Sequence, residues 1–228
     1  MTDGGFTSWL WKSAESTYAL ILAHPFLRGL TDGRLDRAAF RFYVIQDGHY
    51  LREYARALSV TAAKAPASAD TAMFAAHAAN AIAVERALHA GFLDELGGAS
   101  EPPAPVTAAY TNFLLASAYG GSFAEALGAV LPCYWIYAKV GSELAGALSP
   151  DPLYKRWIDT YGGDEFKQIV DEVLAAADGH GATLGTAERA AARSRFEAAA
   201  RYEWMFWDAA YRQERWPVPL SGRQDPAP

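Results

Sequence analysis

Cysteine is nearly absent from this chain, since Cys133 is the only one among 228 residues. A single cysteine cannot form an internal disulfide, which is typical of proteins from a reducing compartment. The N-terminus lacks a basic start followed by an apolar run, so we expect no secretory signal peptide. Uninterrupted apolar stretches of the ~18 residues needed to span a membrane are also lacking. We therefore expect a cytoplasmic protein.

Positive charge is scarce as well. The chain has 20 Lys and Arg residues against 26 Asp and Glu residues, a net charge of -6. No cluster of basic residues is available to neutralise phosphates, which argues against a nucleic-acid partner. An acidic chain is also a poor match for an anionic membrane surface. The hydrophobic fraction of 51% is ordinary for a globular protein with a substantial core.

Strand-like alternation is lacking throughout, whereas the helical period of 3.6 recurs between breaks rich in Gly and Pro. The segments with this period are 6–24, 36–64, 69–96, 104–119, 123–148, 152–161, 164–178 and 186–213. They predict an all-α, single-domain helical bundle over residues 1–215. Residues 216–228 are rich in Pro and polar, and we expect them to form a mobile tail.

Residues 162–166 spell GGDEF, the signature of diguanylate cyclases. In those enzymes the motif lies in a hairpin between two strands. Here helical patterns precede and follow it, so we interpret it as two glycines that break the chain and an Asp that caps the next helix.

Two carboxylates and the thiol lie on otherwise apolar helical stripes. Asp47 falls between aromatic residues, Glu203 falls within the stripe of the last long segment, and Cys133 lies one turn before Tyr137. Because a buried carboxylate is costly unless it is paired or hydrogen-bonded, each needs an explanation. A structural hydrogen bond or a buried Arg partner would serve, and so would catalysis. A lone Cys on a helix face is more often a small hydrophobic residue than a nucleophile, although Pro132 beside it predicts a kink that opens a pocket.

Several separated motifs resemble the thiaminase II family, also called the TenA family of aminopyrimidine aminohydrolases. The resemblance covers about residues 8–213 and rests on these motifs: His24-Pro25-Phe26-Leu27, Gln46-Asp47 with Tyr50-Leu51, Tyr110-Thr111, Leu131-Pro132-Cys133-Tyr134-Trp135-Ile136-Tyr137, Trp157-Ile158-Asp159-Thr160-Tyr161, and Glu203-Trp204-Met205-Phe206-Trp207-Asp208.

This resemblance implies a fold like that of haem oxygenases but without haem, metal or other cofactor, in a cytoplasmic homotetramer. It implies hydrolysis of 4-amino-5-aminomethyl-2-methylpyrimidine to the 5-hydroxymethyl compound and ammonia, within thiamin pyrimidine salvage. Cleavage of thiamin to its pyrimidine and thiazole is implied as a further activity. The Pro-Cys-Tyr context of Cys133 is similar to that of the family's cysteine-containing branch.

The resemblance also implies residue roles. Cys133 would be the nucleophile that adds to the pyrimidine ring, and Glu203 the acid/base for the departing amine and the water. Asp47 would bind the amino-pyrimidine edge and stabilise developing charge, which gives it a catalytic as well as a binding role. Aromatic residues would complete the site: Tyr50, Tyr137 and Tyr161 to orient the reacting groups, and Tyr110 and Phe206 to sandwich the ring.

One pair of residues departs from the family pattern. Gly48-His49 stand where a bulky residue often follows Gln46-Asp47. They lie on helix faces beside that of Asp47, and His49 could alter the pocket rim or a subunit contact.

Two other readings compete with a hydrolase. A haem- or metal-dependent oxidase would need ligands from the available histidines: His24, His49, His77, His89 and His180. None of them forms the Glu-x-x-His motif of di-iron bundles, because Glu85 and His89 are four apart rather than three. We interpret His24, before Pro25, as a helix-end cap. A non-catalytic pyrimidine-binding protein would be expected to lose Cys133 or Glu203, and this chain keeps both.

Overall fold

The computed structural model describes residues 5–88, 91–92, 94–97, 101–146 and 149–218. Their helices, in chain order, are α1 (Phe6–Leu22), α2 (Pro25–Asp32), α3 (Arg37–Lys64), α4 (Ser68–Leu88), α5 (Asp94–Leu96), α6 (Pro105–Gly120), α7 (Phe123–Ala145), α8 (Pro152–Gly162), α9 (Asp164–Gly181) and α10 (Thr186–Arg212). Across these ranges the chain forms no strand. The predicted all-α class is confirmed.

Local capping chemistry explains where several helices begin. Asp36 accepts a hydrogen bond from the backbone N–H of Ala38 at 2.8 Å, and α3 begins at the next residue. Ser122 and Glu125 form a reciprocal capping box at the start of α7. Each cap satisfies a backbone donor that the first helical turn leaves without a partner.

The first predicted segment, 6–24, was incomplete as a description of the fold. α1 ends at Leu22, and a separate helix, α2, begins at Pro25. His24 caps α2, since its Nδ1 accepts a hydrogen bond from the N–H of Phe26 at 3.2 Å. Pro cannot continue a helix but suits a first helical position, so α1 ends before Pro25, and α2, which no predicted segment covered, begins there.

Within the segment predicted for 69–96, α4 covers Ser68–Leu88 and the three-residue α5 covers Asp94–Leu96. The GGDEF residues lie in the helical context that the sequence predicts. α8 ends at Gly162, and Gly163, rather than the predicted Asp164, caps α9.

Three long helices, α3, α7 and α10, supply most of the core around the aromatic stripe residues. The rings of Tyr43 and Trp207 stack with centroids 5.1 Å apart and planes 4° from parallel. Trp157 of α8 meets Trp207 edge-on at 5.5 Å. Such stacked and edge-on contacts stabilise a core beyond the burial of area alone. The stripes of α3 and α10 therefore face each other, which brings their carboxylates into one region.

The first residue of the predicted C-terminal tail, Trp216, contacts the helical domain. Trp216 donates its indole N–H to the carbonyl oxygen of Pro103 at 2.9 Å. Residues 219–228 of the predicted tail lie outside the described residues, so its mobility and the domain boundary at 215 stay predictions. No described helix is both long and apolar enough to cross a bilayer.

Candidate functional site

A pocket opens between α3, α4, α7, α8 and α9. Its walls combine one carboxylate, one thiol and several aromatic rings with aliphatic side chains. The lining residues are Asp47, Tyr50, Leu51, Tyr54, Leu58, His77, Asn80, Ala81, Val84, Cys133, Tyr134, Tyr137, Thr160, Tyr161, Phe166 and Ile169. A concave, largely apolar site with a few convergent polar groups is the usual form of a small-molecule pocket.

Cys133 lies at this pocket on α7, directly after Pro132. Burial raises the pKa of the Cys133 thiol well above its usual range, and the nearby Glu203 carboxylate adds to the rise. The hydroxyls of Tyr50 and Tyr54 partly oppose the shift of this pKa. The resting group is therefore a neutral thiol, and it needs a base before it can act as a nucleophile.

The two carboxylates predicted from the stripes are both buried, with 3% of Asp47 and 1% of Glu203 exposed. Burial raises the pKa of Asp47 to about 7 and the pKa of Glu203 to about 8. Glu203 accepts a hydrogen bond from the Tyr110 hydroxyl at 2.6 Å. Neither carboxylate has a Lys or Arg partner among the described residues, so the Arg-partner explanation finds no support there.

These raised pKa values predict how stability depends on pH. The unfolded chain ionises Asp47 near pH 3.8 and Glu203 near pH 4.5, whereas the folded protein holds their protons to about pH 7 and 8. The folded state thus binds more protons in this interval, and its stability falls as pH rises. We expect the melting temperature of Glu203→Gln to fall less than that of the wild type between pH 5 and about 9.

Comparing the wild type with Glu203→Gln cancels the opposing contribution of the histidines to the pH dependence of stability. Burial lowers the pKa of His24, His77 and His180, which by itself makes stability rise with pH up to about 6.5. Both proteins share these histidines, so the difference between their melting curves reports the carboxylate. Equal pH dependence in the two proteins would contradict a buried, protonated Glu203.

Three of the predicted tyrosines, Tyr50, Tyr137 and Tyr161, line the pocket. The rings of Tyr137 and Tyr161 lie 4.8 Å apart, and the Tyr137 hydroxyl is 3.2 Å from that of Tyr43. The Tyr50 hydroxyl is buried without a hydrogen-bond partner among the described atoms. An unpartnered buried hydroxyl at a pocket wall is available to a bound molecule.

Tyr110, Phe206 and Glu203 do not border the open pocket. Tyr50 packs against both aromatic residues, with its ring centroid 5.0 Å from Tyr110 and 5.8 Å from Phe206. On its other face Tyr110 stacks on Tyr202 at 5.1 Å. The three residues are thus assembled next to the pocket, and a ring held between Tyr110 and Phe206 stays a prediction.

Gly48 and His49, the two residues that differ from the family pattern, do not line the pocket. The Nε2 of His49 is 2.7 Å from the carbonyl oxygen of Glu101. One turn earlier, Gln46 donates to the carbonyl of Pro102 and accepts from the N–H of Ala104. Both side chains therefore fasten the segment before α6, the helix that carries Tyr110.

Three residues that line the pocket, Tyr54, His77 and Asn80, were not predicted from the sequence. Tyr54 belongs to the stripe of Asp47 and Tyr50, so its spacing could have placed it at the site. Its hydroxyl donates to the carbonyl of Val130 at 2.9 Å. On α4, His77 and Asn80 contribute to the other wall, but no pattern in the sequence indicated which side of α4 meets α3.

The histidines do not assemble into a metal centre within the described part of the chain, where no three His, Cys, Asp or Glu side chains are close enough to share an ion. His24 caps α2, as predicted, and its Nε2 lies 3.6 Å from Asp208. His89 lies outside the described residues, as does the side chain of Glu85.

An all-α bundle with a thiol and two buried carboxyl groups of raised pKa beside an aromatic pocket defines a candidate enzyme for a small, flat substrate. Residues 11–213 match the TENA/THI-4/PQQC family. The chain belongs to this family, and the resemblance seen in the sequence motifs is confirmed.

Relatives and solved structures place the chain more closely. It is 38% identical to the aminopyrimidine aminohydrolase of Bacillus subtilis, over 85% of this chain and 84% of that protein. It is 33% identical to the aminopyrimidine aminohydrolase of Halalkalibacterium halodurans, over 92% and 97% of the two chains. The structure of a TenA homologue from P. horikoshii superposes with a TM-score of 0.84 at 30% identity, covering 92% of this chain and 99% of that one.

A more distant structure bears on the fold alone. A domain from Shewanella denitrificans with a haem oxygenase-like fold has a TM-score of 0.70 at 15% identity, covering 93% and 94% of the two chains. The predicted likeness to the haem oxygenase fold is confirmed.

Proposed function

We propose that this protein is an aminopyrimidine aminohydrolase of thiamin metabolism. It hydrolyses 4-amino-5-aminomethyl-2-methylpyrimidine to the 5-hydroxymethyl compound and ammonia. The observation that carries the proposal is that Cys133 and Asp47 line one aromatic pocket, with the buried Glu203 carboxyl near enough to raise the pKa of the Cys133 thiol. The names of the two aminohydrolase relatives support the same activity.

Asp47 is the residue that binds the substrate edge. The amino-pyrimidine edge presents N–H donors, for which an anionic acceptor is preferred over a neutral one. With a pKa of about 7, Asp47 can also share a proton with a ring nitrogen. That contact draws electron density from the ring and makes it a better target for sulfur.

Cys133 and Glu203 then perform the exchange of amine for water. As the Cys133 sulfur bonds to the ring, its proton passes to a carboxylate, and the ring electrons expel the amine from the exocyclic methylene. Glu203, with a pKa of about 8, is protonated at neutral pH and can donate to the departing nitrogen. Its carboxylate next takes a proton from water, which adds to the methylene, and the sulfur leaves the ring and takes back the proton it gave up.

The test is direct. Purified protein is incubated with the aminomethylpyrimidine and, separately, with thiamin, and kcat/KM is measured from ammonia or thiazole release. We expect turnover of the aminomethyl compound, and cleavage of thiamin as a second activity. A folded protein that releases ammonia no faster than buffer would overturn the proposal. The homotetramer and the cytoplasmic location stay predictions.

Asp47→Asn is expected to weaken both binding and turnover. The amide keeps the size of the side chain but loses the negative charge, and a hydrogen bond to a charged group contributes ~1.5–3 kcal/mol, so kcat/KM should fall roughly 10- to 100-fold. Asp171→Asn, at an exposed carboxylate of α9, is the matched control. Normal kcat/KM in Asp47→Asn would show that Asp47 only packs against its neighbours and has no role in binding or turnover.

A further inference from the structure

A chain of hydrogen bonds links α4, α7 and α3 beside Cys133. The Nδ1 of His77 lies 3.1 Å from the hydroxyl of Tyr134, and their rings lie 5.6 Å apart. The ring of Tyr134 meets that of Tyr54 edge-on at 5.8 Å. Burial raises the pKa of Tyr134, and a hydrogen bond with the Tyr54 hydroxyl partly opposes the rise. The Tyr54 hydroxyl also lies 2.9 Å from the carbonyl oxygen of Val130, three residues before Cys133 on α7.

The number of donors fixes the direction of this chain. Its three contacts need one proton each, and the Val130 carbonyl can only accept. His77 therefore donates to Tyr134, Tyr134 donates to Tyr54, and Tyr54 donates to the carbonyl. Burial lowers the pKa of His77, and the Glu172 carboxylate on α9 only partly opposes this, so the ring is neutral at pH 7. A neutral imidazole has a single N–H, which the count of donors assigns to Nδ1.

The Tyr54 hydroxyl is also a partner of the Cys133 sulfur. Burial and the Glu203 carboxylate raise the pKa of the Cys133 thiol, and hydrogen bonding from tyrosine hydroxyls, that of Tyr54 among them, lowers it. A donor to the sulfur stabilises the thiolate relative to the thiol. Because a hydroxyl that accepts a hydrogen bond becomes a stronger donor, Tyr134 and His77 strengthen the bond that Tyr54 can make to the sulfur.

We propose that His77 and Tyr134 are positioning residues for the sulfur of Cys133: they hold and polarise the Tyr54 hydroxyl, which donates to the sulfur as it gains negative charge. The inference rests on the proposed function, in which the sulfur bonds to the ring as its proton passes to a carboxylate. At rest the Tyr54 proton points to the Val130 carbonyl, and rotation about the C–O bond turns it to the sulfur. The chain itself transfers no proton, so the balance of the reaction is unchanged.

The test compares two substitutions at His77 that differ in a donor and little in size. His77→Leu removes the Nδ1–H, whereas His77→Asn keeps an N–H close to its position. Cys133 is the only cysteine, so the rate of its alkylation by iodoacetamide at pH 8 reports the thiolate without any substrate. We expect His77→Leu and Tyr134→Phe each to lower this rate and kcat roughly 2- to 10-fold, the contribution of one neutral hydrogen bond, with little change in KM. His77→Asn should restore both rates.

Matched controls exist for both kinds of substitution. Ala76→Leu places the same apolar side chain at an exposed position of α4 next to His77. Tyr119→Phe removes a hydroxyl from a tyrosine of α6 that is 66% exposed. Both controls should keep the wild-type rates of alkylation and turnover.

The outcomes separate this inference from the proposed function. Unchanged alkylation or unchanged kcat in folded His77→Leu would overturn the inference, and so would a His77→Asn protein as slow as His77→Leu. If Tyr134→Phe does not fold, the two variants of His77 decide alone. Wild-type protein inactive on the aminomethylpyrimidine would overturn the function, whereas the alkylation rates would still show whether the chain acts on the sulfur.

Discussion

Cys133→Ala is expected to lower kcat by ~10³-fold or more, while the protein still folds and still binds the hydroxymethylpyrimidine product. The substitution removes the sulfur that bonds to the ring but keeps Asp47 and the aromatic walls of the pocket. Binding of the product by calorimetry, kcat and the melting temperature are measured on the same preparation.

The alternative explanation of Cys133 predicts another pattern. If the residue is only a small hydrophobic group, its truncation leaves a cavity that costs about 1 kcal/mol of stability, and activity persists. A folded Cys133→Ala protein with near-normal kcat would therefore remove the nucleophile assignment. It would leave Glu203 as the remaining candidate for the chemistry.

Glu203→Gln is expected to lower kcat roughly 10²- to 10⁴-fold, the usual contribution of a general acid–base. The amide retains an oxygen that can accept the hydrogen bond from Tyr110, so the local packing should survive. Since glutamine cannot deliver a proton to the amine, the loss falls on turnover rather than on binding. Glu197→Gln, at a side chain of the same helix that pairs with Arg193, is the control.

The losses of kcat caused by Cys133→Ala and Glu203→Gln should not multiply in the double variant. Residues that serve one step act as a unit, so the double variant of Cys133 and Glu203 should be little slower than either single variant. Losses that multiply would mean that the two groups act in independent steps. A Glu203→Gln protein with normal kcat but altered melting behaviour would reduce Glu203 to a structural residue.

How far the site follows from sequence can be seen at Asp47 and Glu203. Each carboxylate interrupts an apolar stripe, and the structure confirms that both are buried. Helical spacing alone places a residue on a face, so it identified these two positions and also Cys133 beside Tyr137. It did not show that Tyr50 packs against both Tyr110 and Phe206, since that arrangement depends on how three helices cross.

The start of α2 shows the same limit in the fold. The first predicted segment stopped at His24, and no predicted segment covered α2, Pro25–Asp32. The turn there depends on Pro25 and on the side chain of His24 capping its own helix. The cap at His24 was predicted, but α2 has only 8 residues, too few turns for the helical period to stand out in the sequence.

By itself, the sequence determined the helical class, the family and the buried groups at the pocket, because each is encoded locally by periodicity, caps and short motifs. Only the tertiary structure decided which face of α4 meets α3, and hence that His77, Ala81 and Val84 line the pocket. It also decided that Glu203 is held by Tyr110, a residue far away in the chain. Such contacts follow from the packing of side chains between helices, and packing is a property of all the helices together.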